Sequence, residues 1–170
     1  GGGETRGQAL ATLDGITHGM LTDSRIGAWA AAAQGESLST WQQANLREMQ
    51  RSYHNATCVP ADLVERSTLA TSRCEQAWRQ YRPENNWQAM VPLLENVVAL
   101  AREEARARSA VTGMALYDTL LDSYEPGMTC AQLDPLFNEL KEFLPGLLDE
   151  VIERQAQHPP LLPEGPFAIE

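Results

Sequence analysis

Histidines, cysteines and tryptophans are the side chains of this sequence with the widest chemical range, and their spacing limits what each can do. Two metal ligands four residues apart on a helix share one face and reach one ion together. His18, His54 and His158 are far apart, and none has a second histidine four residues away. No glutamate stands three residues before any of them, the spacing that builds dinuclear carboxylate sites in helical bundles. Cys58, Cys74 and Cys130 contain no Cys-x-x-Cys pair and read as reduced interior thiols. A nucleophilic Cys74 needs a histidine base beside it, and the pattern brings neither His18 nor His54 there. Trp29, Trp41, Trp78 and Trp87 suit either a peptide groove or the gaps between helices, and packing is the expectation. Phosphate loops need glycines between a strand and a helix, and no strand pattern accompanies the glycines here.

The elements that must position these residues are helical, because apolar residues recur at three and four rather than alternating. A first helix is predicted over about 4–21, with Leu10, Leu13, Thr17 and Met20 or Leu21 on its inner side, weakened by Gly15 and Gly19. Thr22, Asp23 and Ser24 supply capping oxygens for a second over about 25–33, which Gly35 ends. Ser39 and Gln42 form a capping box for a third that reaches about Thr57. Pro60 opens a fourth that extends to about Tyr81, and the Arg82 to Asn86 segment is a turn. The fifth starts near Trp87 and ends at Gly113, with Trp87, Met90, Val91, Leu94, Val97, Val98 and Ala101 expected to be buried. The charge run from Arg102 to Arg108 reads as a solvated face on which Glu104 and Arg108 pair weakly. A short helix over about 115–123 precedes the Glu125-Pro126-Gly127 turn. Thr129 and Gln132 then open the longest element, whose stripe comprises Leu133, Leu136, Phe137, Leu140, Leu144, Leu147, Leu148, Val151 and Ile152. The prediction is an all-α fold of six or seven helices in antiparallel packing over 1–157, followed by a Pro-rich extended connector over 158–170.

Composition narrows the partners. A chain of 170 residues, 43% hydrophobic and 21% charged, is long enough to bury a core without a disulfide or metal staple. A formal charge of -10 with no basic stripe repels nucleic-acid phosphates and anionic lipid, so neither is an expected partner. No apolar run reaches the roughly 18 residues of a membrane span, and the Gly-Gly-Gly-Glu start is not a signal peptide, so a cytoplasmic location is the default. The start at Gly1 and the end at Glu170 read as an excerpt of something longer.

One stretch is too particular for helix composition to explain: Tyr117 to Thr129, Tyr-Asp-Thr-Leu-Leu-Asp-Ser-Tyr-Glu-Pro-Gly-Met-Thr. With Leu133, Leu136, Phe137 and Leu140 it resembles the carboxypeptidase Taq family of zinc metallocarboxypeptidases. So, in order along the chain, do Gly1 to Gly3 with Gln8 to Leu13, Val59 to Val64, Ala77-Trp78-Arg79, Met90 to Glu104 and Leu162 to Phe167. The resemblance implies the N-terminal part of a mostly helical peptidase. Its deep groove would carry one zinc ion, held by a His-Glu-x-x-His helix and a later glutamate. That motif is absent here, so no position inherits a catalytic, cofactor-binding or metal-binding role. Tyr124 and Glu125 remain candidates for either substrate contact or helix anchoring. The implied activity is removal of C-terminal residues from peptides, with zinc in the full enzyme, none bound to this chain, and no activity in the chain alone. Implied partners are the catalytic region, the peptide and a second copy of the chain. A stand-alone helical scaffold or interaction module is the alternative, and a small-ligand bundle would need a polar-lined cavity that no pattern demands.

Overall fold

In the computed structural model the described residues are 2–158 and 165–166, and among them every regular element is a helix. They are α1 (Gly3–Leu21), α2 (Ser24–Ala33), α3 (Thr40–Thr57), α4 (Ala61–Tyr81), α5 (Trp87–Thr112), α6 (Leu116–Leu121) and α7 (Cys130–Gln155). Local chemistry sets their ends. The Asp23 carboxylate accepts from the Arg25 N–H at the start of α2, and Ser39 and Gln42 cap α3 reciprocally. The Asn86 side chain accepts from the Ala89 N–H to open α5, and Gly113 closes it with φ 73°, a left-handed conformation that an L side chain adopts only under strain. α7 continues unbroken through Pro135 and Pro145. Apart from His158, Gly165 and Pro166, the expected connector lies outside the described residues.

α4 is the central element, packed between α1 and α5, while α1 also meets α3, α2 lies on α3, and α6 rests on α5. The core joins the α3–α4 corner to the middle of α5: Cys58, Val59, Leu63, Ala70 and Leu100 cluster, with Val64 and Val97 against them. Leu63 is its centre, 1% exposed.

Four expected faces differ from what the structure shows. α1 turns Gly7 and Ala11 inward, while Leu10, Leu13 and Met20 are exposed. The reason is close approach: a Cβ added at Gly7 would stand 3.0 Å from Ser72 Oγ, so small residues rather than leucines suit the α1–α4 contact. Asp14 reinforces it by accepting from the Thr68 hydroxyl at 2.7 Å. In α5 the fully buried residues are Met90, Leu100 and Ala105, whereas Trp87 and Val98 of the expected stripe are exposed. The α5 charge run is also not wholly solvated. The Arg108–Glu104 pair, 2.7 Å apart, has side chains only 15% and 30% exposed, and Arg108 also donates to the Asn55 carbonyl at the end of α3. Finally, α7 has no extensive packing against any other helix, and Leu136, Phe137, Leu140, Leu144, Leu147 and Ile152 of its stripe are exposed.

Candidate functional site

The thiols are placed for packing. Cys58 and Cys74 are buried and Cys130 is half-buried, because it opens α7 at a corner rather than lying in the core. Burial pushes the Cys58 thiol up, opposed by the nearby Arg108 charge, and burial likewise pushes Cys74 up. The Asp118 carboxylate and burial raise Cys130. All three are therefore poor thiolates at neutral pH. His54 and Cys58 stand one helical turn apart, yet His54 is exposed and Cys58 is buried. Among the described residues no three or more His, Cys, Asp or Glu side chains gather as a metal site would require.

The tryptophans face outward, contrary to the packing expectation: Trp29, Trp41, Trp78 and Trp87 are all exposed. Three of them line concavities. A cavity of about 740 Å³ between α2 and α3 is walled by Ile26, Trp29, Ala33, Leu46, Met49 and Tyr53. A second, of about 410 Å³, lies where α4 turns into α5 and is lined by Trp78, Tyr81, Arg82, Trp87, Met90 and Leu94. Arg82 lies over the Trp78 ring at 5.9 Å, and Arg25 over Trp29 at 5.8 Å, so each ring carries a cation on one side. These are apolar recesses without the converging acids, bases and donors of a reaction centre.

The Tyr117 to Thr129 stretch is a built corner. Asp118 Oδ1 accepts from the Cys130 N–H at 2.9 Å, satisfying a first-turn donor of α7, and that bond holds its carboxyl below the ordinary range. Asp122 Oδ1 accepts from the Gly127 N–H at 2.8 Å and closes the turn, in which Gly127 has φ 79°. Asp122 Oδ2 pairs with Arg51 of α3 at 3.2 Å, and the same guanidinium donates to the Asp122 carbonyl. The Gly127 bond, then Arg51, depresses the Asp122 carboxyl. Thr129 N–H donates to Gln132 Oε1 at 2.9 Å. Sequence reading singled out this stretch but missed the partnership with Arg51, which lies 71 residues away and has no local signal. Tyr124 is 85% exposed and Glu125 is also exposed, so neither anchors a helix by burial within this chain.

Comparison with known proteins connects this corner and its helices to one group. A family model described as carboxypeptidase Taq (M32) metallopeptidase matches residues 1–170. Thermostable carboxypeptidase 1 of Thermus thermophilus is 34% identical over 180 residues, spanning 99% of this chain and 35% of the relative. Thermostable carboxypeptidase 1 of Pyrococcus furiosus is 26% identical over 149 residues, spanning 87% and 30% respectively. The solved structure of Trypanosoma cruzi metallocarboxypeptidase 1 superimposes with a TM-score of 0.80 at 37% identity, covering 98% of this chain and 34% of that one. The chain thus spans about a third of the length of the relatives it matches.

Proposed function

The chain belongs to the carboxypeptidase Taq (M32) metallopeptidase family, and from that premise we propose that it forms an N-terminal wall or lid of the peptide groove in a zinc-dependent carboxypeptidase. The parent enzyme removes C-terminal residues from peptides, and the chain is inactive alone. Zinc would polarise the scissile carbonyl and lower the pKa of its bound water. This chain's residues do not fit that ion: its three histidines lie far apart and none has a second histidine one turn away, so no hydrolytic step is assigned to them.

The observation that carries the reading is α7. A helix of 26 residues with an apolar stripe gains most of its stability when that stripe is covered, and here the stripe is exposed from Leu136 to Ile152. The natural cover is the catalytic region that the relatives' extra length supplies. The exposed outer side of α1 and the α2–α3 recess are further surface for the same contact or for peptide. Three free cysteines, and the absence among the described residues of a helix long and apolar enough to cross a membrane, support a cytoplasmic setting.

The test places charge on the stripe. Leu140→Glu with Leu147→Glu, both at exposed positions, leaves the helicity of this chain unchanged and abolishes C-terminal residue release by the gene product that contains it. Undiminished release by the doubly charged product would remove the wall reading and favour a scaffold that works apart from catalysis.

A further inference from the structure

We propose that Arg51 and Asp122 form a latch that sets the angle at which α7 leaves the helical bundle. α7 lacks extensive packing contacts, so its direction must be fixed at its base. There Asp122, the C-cap of α6, is held at each of its three oxygens. Oδ1 takes the Gly127 N–H, Oδ2 takes Arg51, and its carbonyl takes Arg51 again. One guanidinium nitrogen, Nη2, therefore holds main chain and side chain of a single residue, and with the Gly127 bond on Oδ1 it restrains Asp122 from two sides. The two side chains are 30% and 22% exposed, so the pair is shielded from water more than the chain's other long-range pairs, such as Arg66–Glu103 at 45% and 48%. Asp118 passes the constraint onward by accepting from the first amide of α7. α3 thereby sets α7 across the α6 corner, although α3 and α7 share no extensive packing.

The latch does not depend on what eventually covers α7, and its test needs no activity. From its base α7 is about 39 Å long, so a swing of 10° at the corner moves its tip by about 7 Å. Spin labels carried on ketone-bearing residues at Glu65 of α4 and Gln155 at the end of α7 report that swing as a distance distribution in the 170-residue chain bearing Leu140→Glu and Leu147→Glu, which keep α7 from pairing with a second copy. Arg51→Met is expected to broaden the distribution by at least about 5 Å, with helicity preserved. Arg66→Met, which breaks a pair between α4 and α5, leaves the width unchanged while lowering thermal stability. If Arg51→Met fails to fold, Arg51→Gln decides, since its shorter, neutral amide replaces neither the charge nor the reach of the Nη2 that donates to both Asp122 oxygens. A folded Arg51 variant with the width of the parent chain overturns the latch, as does equal broadening by Arg66→Met.

Discussion

Leu63→Ala is the sharpest probe of the packing. Leu63 is 1% exposed and touches a cluster of small or branched neighbours, Cys58, Val59, Ala70 and Leu100, which have little freedom to close around a missing side chain. Removing three methylene equivalents forfeits about 2.4 kcal/mol of burial at roughly 0.8 kcal/mol each. The cavity left behind raises the expected cost to about 3–4 kcal/mol. For a chain of this size that lowers Tm by roughly 6–16 °C. Circular dichroism against temperature and urea reads the change, with the urea midpoint falling and the slope unchanged. Trp41→Ala is the control: this side chain is 77% exposed, and its removal should stay within about 0.5 kcal/mol. A Leu63→Ala cost below about 1 kcal/mol, or one no larger than that of Trp41→Ala, would refute the placement of the core.

Gly27→Ala tests the α2–α3 contact, because an added Cβ would stand 2.9 Å from the Tyr53 ring. It should cost about 1 kcal/mol or more in the parent chain, yet stabilise by about 0.5–1 kcal/mol in a Tyr53→Ala background, where helix propensity alone remains; the same sign in both backgrounds would exclude the clash. The Asp122 carboxyl is depressed below its ordinary 3.8 in the folded chain, so its stabilisation is present above that value and lost as pH falls through the folded value. Asp122→Asn is therefore expected to lower urea stability at pH 7 by about 1.5–3 kcal/mol and to converge with the parent chain as pH falls below the folded value of that carboxyl; a gap that persists in acid contradicts this. With α7 uncovered, the chain alone should self-associate, its sedimentation coefficient rising with concentration and Leu140→Glu with Leu147→Glu abolishing the rise.

What the sequence made legible was local. Ser39 with Gln42, Asn86 and Gly113 mark helix ends through groups within a few residues of the backbone they satisfy, and the structure uses each of them so. Inward faces were harder to read, for two physical reasons. At the α1–α4 contact, closeness of approach selects Gly7 and Ala11, and the larger Leu10, Leu13 and Met20 are displaced to the outside. On α7, an apolar stripe announces burial without saying that the partner belongs to the same described chain. Contacts such as Arg51 with Asp122 or Arg108 with Asn55 join residues far apart in sequence and leave no periodic trace. The same division holds for the site: the Tyr117 to Thr129 stretch stood out by its composition, but its structural purpose appears only when Asp118 and Asp122 are seen accepting the amides of Cys130 and Gly127.

The groove-wall account is tested most directly by measuring C-terminal residue release from an unblocked peptide, with bound zinc, for this chain and for the natural gene product that contains it. The account predicts zinc-dependent release by the gene product, lost on chelation and restored by zinc, and neither zinc nor release for the 170 residues alone. Release by the isolated chain, or a gene product that is inert and free of zinc, would contradict it.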